Sequence, residues 1–190
     1  MFGYKMLQGI DEQELARRCA TKDRQAETEL YMHYAAKLFT FCRRYANSRD
    51  EALDLMQDTF LKAFEKMSTF QYTGKGSFYA WITRRAMNKA LDHAKKNKFH
   101  FLSLDIFQTG MEPEPIEEEL GQLPEEKLLD FIAELPEVQR MVFNMFCIDG
   151  FSHKEIAERL AITEKGSASM LAKAKAKVKK RINDYLKDTE

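Results

Sequence analysis

Helix breakers are scarce in this sequence, with 8 glycines and 4 prolines among 190 residues. No run of alternating β-branched residues reads as a strand, and Ala, Leu, Glu, Lys and Met dominate, so an all-α fold is expected. No stretch nears the roughly twenty apolar residues of a membrane span, and the first residues lack a charged-then-apolar signal pattern. A cytoplasmic protein is expected. The three cysteines, Cys19, Cys42 and Cys147, are odd in number, far apart and set among apolar residues. That excludes a disulfide framework or zinc knuckle and suggests reduced core thiols. His33, His93, His100 and His153 are scattered without metal-ligand spacing. Asp54 and Asp58, one helical turn apart, have neither a nearby histidine nor a phosphate-cradling glycine loop. An enzyme, a bound metal and a cofactor are therefore not expected, nor is a small-molecule substrate.

The zero net charge is an average over unlike segments. Residues 1–99 hold 18 Lys plus Arg against 12 Asp plus Glu, residues 100–126 hold 0 against 8, and residues 127–190 hold 12 against 10. Two mildly basic blocks flank an acidic connector that also carries Gly110, Pro113, Pro115, Gly121 and Pro124. Such a composition cannot bury a core, so residues 100–126 read as a flexible spacer between two small helical domains, 1–99 and 127–190. Its Glu117, Glu118 and Glu119 also invite comparison with nucleic-acid phosphates.

In the first block, Ser48 and Glu51 have the spacing of a capping box. Ala52, Met56, Phe60, Ala63, Phe64 and Met67 then recur at helical spacing as one inward stripe, leaving Asp54, Gln57, Asp58 and Leu61 outward. A loop from Phe70 to Gly76 is punctuated by Gly74 and Gly76, and Ser77 opens a helix to about Lys98. That helix interleaves Phe78, Trp81 and Ile82 with Arg84, Arg85, Asn88, Lys89, Asp92, Lys95, Lys96 and Lys98. Trp81, in register with Phe78 and Ile82, is expected in the core.

In the last block, Leu135 and Pro136 open a helix with Val138, Val142, Phe143 and Phe146 inward, closed by Asp149 and Gly150. Ser152 with Glu155 is a capping box for a short helix whose Ile156, Ala157 and Leu160 face inward. A tight turn through Ala161, Ile162 and Thr163 leads into a third helix. This arrangement specifies a helix-turn-helix, whose second helix fits the DNA major groove. Beyond it, Leu171, Ala174, Val178, Ile182 and Tyr185 point inward, while Lys173, Lys175, Lys177, Lys179 and Lys180 offer charge to phosphates.

With both blocks in view, the chain resembles bacterial sigma factors of the extracytoplasmic-function (ECF) group. The first half of the resemblance is Asp50-Glu51-Ala52-Leu53-Asp54-Leu55-Met56-Gln57-Asp58-Thr59-Phe60-Leu61-Lys62-Ala63-Phe64, then Gly76-Ser77-Phe78, Trp81, Arg84, Ala86, Asn88, Ala90 and Asp92-His93. The second is Leu135-Pro136, Gln139-Arg140, Val142-Phe143, Gly150-Phe151-Ser152, Glu155-Ile156-Ala157, Leu160, Ile162, Ser169, Leu171 and Ala174.

The resemblance implies that Asp54, Gln57, Asp58 and Leu61 bind core RNA polymerase. It implies that the loop from Phe70 to Gly76, with Tyr72 and Lys75, captures a flipped base of the single-stranded minus 10 promoter element. Asn88 and Asp92 would read neighbouring bases, with Arg84, Arg85, Lys89, Lys95, Lys96 and Lys98 on phosphates. The duplex minus 35 element would fall to Lys165, Ser167, Ser169, Lys173 and Lys177, since Ala168 and Met170 stand where relatives carry a basic residue. An anti-sigma factor is the further partner implied. The alternative is a conventional helix-turn-helix regulator whose first domain senses or dimerises, which would hold duplex DNA unaided.

Overall fold

The computed structural model describes residues 11–97 and 123–188, and every regular element among them is helical. In chain order, α1 spans Glu12–Ala20, α2 Arg24–Tyr45, α3 Arg49–Glu65 and α4 Ser77–Asn97, with a 3-10 turn Met67–Thr69 after α3. Then follow α5 (Glu125–Ala133), α6 (Glu137–Phe143) running into a π-helical turn Asn144–Ile148, α7 (His153–Leu160) and α8 (Glu164–Lys187). The chain divides into two compact units, Met1–Cys42 with Arg49–Lys89, and Arg43–Ser48 with Ala90–Glu190. The acidic connector lies outside the described residues except at its end. There Pro124 is the N-cap of α5 and Glu125 and Glu126 form its first turn, so a helix stands where composition suggested only spacer.

In the first unit, the apolar stripe of α3 is inward as its spacing predicts: Ala52, Met56, Phe60, Ala63 and, just beyond the helix, Met67 are buried. Thr59 is buried among them because its Oγ1 donates to the Leu55 carbonyl at 2.6 Å. Phe64 is only half-buried, stacked on Phe60. Ring contacts tie α2 to its neighbours: Tyr31 meets Phe60 at 4.7 Å between centroids and Tyr34 meets Phe78 at 5.2 Å. Each such buried side chain contributes about 1.5–3 kcal/mol through area removed from water. Cys19 and Cys42 are buried thiols, pushed by desolvation up to about 11 and about 12, so they stay protonated.

In the second unit, Val142, Phe143, Ile156, Leu160, Leu171, Val178 and Ile182 form the core of α6, α7 and α8. Two expectations fail at the end of α6. Phe146 is 36% exposed and Cys147 is exposed rather than a core thiol. The cause is the π turn, which takes more residues per turn than an α-helix and swings the side chains beyond Phe143 out of register. Val138 is half-buried, and polar Gln139 and Arg140 are buried beside it. Burial of Arg140 follows from its hydrogen bonds, since Nη1 donates to the Ala133 and Leu135 carbonyls, at 2.8 and 3.2 Å, where α5 ends.

The helix-turn-helix is capped by its own sequence. Ser152 Oγ accepts from the Glu155 amide at 3.3 Å while Glu155 Oε2 accepts from the Ser152 amide at 2.8 Å, completing the expected box. Ala161 turns the chain in the left-handed region at φ 52°, and Thr163 Oγ1 then accepts from the Gly166 amide at 2.9 Å to start α8. A Cβ on residue 166 would stand 3.0 Å from that oxygen, so glycine, unfavourable inside a helix, here leaves room for the cap.

Candidate functional site

The buried stripe of α3 dictates what the opposite side offers. Asp54, Gln57, Asp58 and Leu61 are all exposed, Leu61 at 63%, and Leu53 adds a second exposed aliphatic on the same helix. Such a surface suits a partner that is met by polar groups and desolvates an aliphatic side chain. Asp58 is not isolated, because Lys89 of α4 donates to it, which holds the carboxyl below its usual range. A residue expected on polymerase and one expected on DNA are therefore paired with each other.

The loop between the 3-10 turn and α4 is held by a residue that the sequence reading did not single out. Glu12, 6% exposed at the start of α1, accepts from the Gly76 amide (3.0 Å), the Phe78 amide (2.8 Å), the Ser77 hydroxyl (3.1 Å) and the Tyr34 hydroxyl (2.5 Å). Burial alone raises its pKa, and these hydrogen bonds outweigh it, leaving the carboxyl below its usual range and the Tyr34 phenol raised. Ser77 Oγ in turn accepts from the Thr73 amide at 3.4 Å, and the Ser77 amide donates to the Gly74 carbonyl at 3.1 Å. Gly74 and Gly76 take φ of +136° and +86°, conformations open to glycine at little steric cost.

Within this region the expected DNA-facing residues separate into three groups. Tyr72, Lys75, Arg84, Asn88 and Asp92 are exposed, the last three along one line of α4. Phe70 is half-buried edge-on to Phe78 and tilted against Trp81, making it a wall of the loop rather than a free platform. Arg85 also turns inward: its guanidinium lies 4.0 Å from the Trp81 ring centroid, and Nη2 donates to Thr69 Oγ1 at 3.2 Å. Burial lowers its pKa, and the guanidinium expected on phosphate is engaged by Trp81 and Thr69 in this structure. Trp81 itself is half-buried. Lys95 and Lys96 lie on α4 with side chains outside the described set, and Lys98 lies outside the described residues.

On α8, Lys165, Ser169, Lys173 and Lys177 recur every fourth residue along one side, with Lys165 and Lys177 exposed and Ser169 and Lys173 half-buried. Ser167 does not join them. It is 0% exposed, and its hydroxyl meets His153 Nδ1 of α7 at 2.9 Å, so its expected base contact is corrected to a bond between the two helices. His153 stacks on Phe146 with centroids 4.4 Å apart, and desolvation lowers its pKa against a smaller opposing effect of Glu164. This pairing was hidden because residues 153 and 167 sit on different helices.

Two sequence-family models match the chain: Sigma-70 region 2 over residues 30–100 and Sigma-70, region 4 over residues 125–178. The ECF RNA polymerase sigma-E factor of Escherichia coli strain K12 is 29% identical over 167 residues, covering 80% of this chain and 84% of the relative. The chain belongs to the ECF sigma factors. The ECF sigma-E factor of Haemophilus influenzae is 27% identical over 164 residues, covering 80% and 85%. A solved structure of the sigma factor RpoE with the anti-sigma factor NepR from Bartonella quintana is 19% identical with a TM-score of 0.49, covering 82% of this chain and 96% of that one. As an ECF sigma factor, the chain is an alternative sigma factor that directs transcription initiation, and its family is one of initiation factors rather than of catalysts. No helix among the described residues is long and apolar enough to cross a membrane.

Proposed function

We propose that the two blocks divide the work of initiation residue by residue. The domain of residues 1–99 docks on core RNA polymerase through Asp54, Gln57, Asp58 and Leu61 and opens the minus 10 element. There the loop from Phe70 to Gly76 takes a flipped base, with Tyr72 and Lys75 beside it. Arg84, Asn88, Lys89 and Asp92 follow the strand along α4, where amide hydrogen bonds and phosphate contacts offset the few kcal/mol of lost stacking. The domain of residues 127–190 holds the minus 35 duplex through Lys165, Ser169, Lys173 and Lys177, and residues 100–126 span between them. The protein acts in the cytoplasm, where polymerase and chromosome are, without catalytic chemistry of its own.

The observation that carries this reading is the exposed side of α3, where Leu61 stands 63% exposed among Asp54, Gln57 and Asp58. An exposed aliphatic side chain set among polar groups that can fix a partner's register suits a surface that is covered in use. The test is reconstitution with core polymerase and promoter-dependent transcription. Gln57→Ala with Leu61→Ala is expected to weaken core binding by about tenfold or more, and full binding by that variant overturns the assignment. An anti-sigma factor is proposed to cover the same face when the protein is silent. Purification from resting native cells is expected to recover such a partner, and recovery of polymerase subunits alone overturns that part.

A further inference from the structure

We infer that Glu12 of α1 is a positioning residue for promoter opening, fastening the loop that receives the flipped base at its last residue and at its middle. The inference rests on the proposed role of that loop. A helix start is ordinarily satisfied by the residue just before it, which here is Gly76, without a side chain to offer. The carboxylate of Glu12 takes that office from a different helix, accepting from the Gly76 and Phe78 amides at 3.0 and 2.8 Å. Its reach extends further back along the chain, since the Ser77 hydroxyl that donates to it at 3.1 Å accepts from the Thr73 amide at 3.4 Å. One carboxylate thus fixes the loop directly at Gly76 and, through Ser77, at Thr73.

Tyr34 locks the carboxylate itself, donating at 2.5 Å from a side chain that is 5% exposed. The arc between Thr73 and Gly76 is held on a buried anchor, while Tyr72, Thr73 and Lys75 remain exposed. Such an arc loses little conformational freedom when a base enters it, which is the advantage of preorganisation in binding. The arrangement also occupies the amides at the start of α4, so an incoming base meets loop groups rather than a bare helix end.

The experiment uses the full chain with core polymerase. Wild-type holoenzyme first enriches a single-stranded oligonucleotide from a random pool, and that oligonucleotide is the probe. Glu12→Gln places an amide NH2 among hydrogen-bond donors and is expected to weaken probe binding by roughly tenfold, with affinity for core polymerase unchanged and faster hydrogen exchange over residues 70–78. Ser77→Ala, which cuts only the branch to Thr73, is expected to show a smaller loss of the same kind and carries the test if the first variant does not fold. Unchanged probe binding in the folded variants overturns the inference. So does a parallel fall in core and probe affinity, the mark of a general stabilising role. If the wild type enriches no sequence, base capture by the loop fails, and the role of Glu12 in it falls for that separate reason.

Discussion

The helices proposed to bear the two nucleic-acid faces begin in different ways. α7 and α8 start on their own hydroxyls, Ser152 and Thr163, each bonded to an amide three residues ahead. α4 starts on Glu12, a carboxylate 64 residues before Gly76. A helix capped locally keeps its start if neighbouring helices loosen, whereas a helix capped from afar is set only when α1, α2 and α4 are packed together. The helix-turn-helix is therefore an autonomous local design, and the loop proposed to open DNA depends on tertiary structure.

Substitutions can break that comparison. The largest effect is expected for Glu12→Ala, which strands the buried Phe78 amide and Tyr34 hydroxyl and should cost about 2–4 kcal/mol, read by denaturant unfolding. The same residue gives a pH signature: with its folded pKa below the ordinary 4.5, its contribution is complete above pH 4.5 and is lost as pH falls through the folded value. The stability gap between wild type and Glu12→Gln should narrow on acidification below pH 4.5. Ser152→Ala and Thr163→Ala should each cost about 1 kcal/mol and leave the exchange of the Gly76 amide untouched. An effect of either on the first unit would contradict the local character of these caps.

Smaller effects sharpen the picture within the helix-turn-helix. Ala161 holds φ 52°, and Ala161→Gly should relieve steric strain there and stabilise by up to about 1 kcal/mol, seen as a raised Tm. The smallest expected effect concerns His153, whose pKa lies below the ordinary 6.5. Folding favours its neutral form, so its contribution is complete above pH 6.5 and declines as pH falls through the folded value. Thermal unfolding of His153→Gln should show a weaker decline over that window.

What was legible in the sequence follows the same division. The α3 stripe, the Ser152–Glu155 box and the turn into α8 are short-range patterns, placed by periodicity, capping residues and turn residues within a few positions of one another. So, on the outward side of α3, are Asp54, Gln57, Asp58 and Leu61. Long-range features were not legible: Glu12 at the start of α4, Arg85 bonded to Thr69, and Ser167 bonded to His153 each join residues on separate elements. The outward turn of Phe146 and Cys147 escaped for another reason, because an assumed α-helical period cannot register a π turn. One signal was available and unused, since Asp11 followed by Glu14 marks the start of α1, where Asp11 Oδ1 accepts from the Glu14 amide at 3.0 Å.

The inward Ser167 bears on attempts to redirect this factor to new promoters. A library that randomises the whole start of α8 would spend position 167 on variants whose survival reports whether the two helices still fit, not which bases they prefer. Codon variation confined to residues 165, 169 and 173 spares the Ser167–His153 bond, so that altered promoter choice in the selected clones tests the readout proposed for those positions.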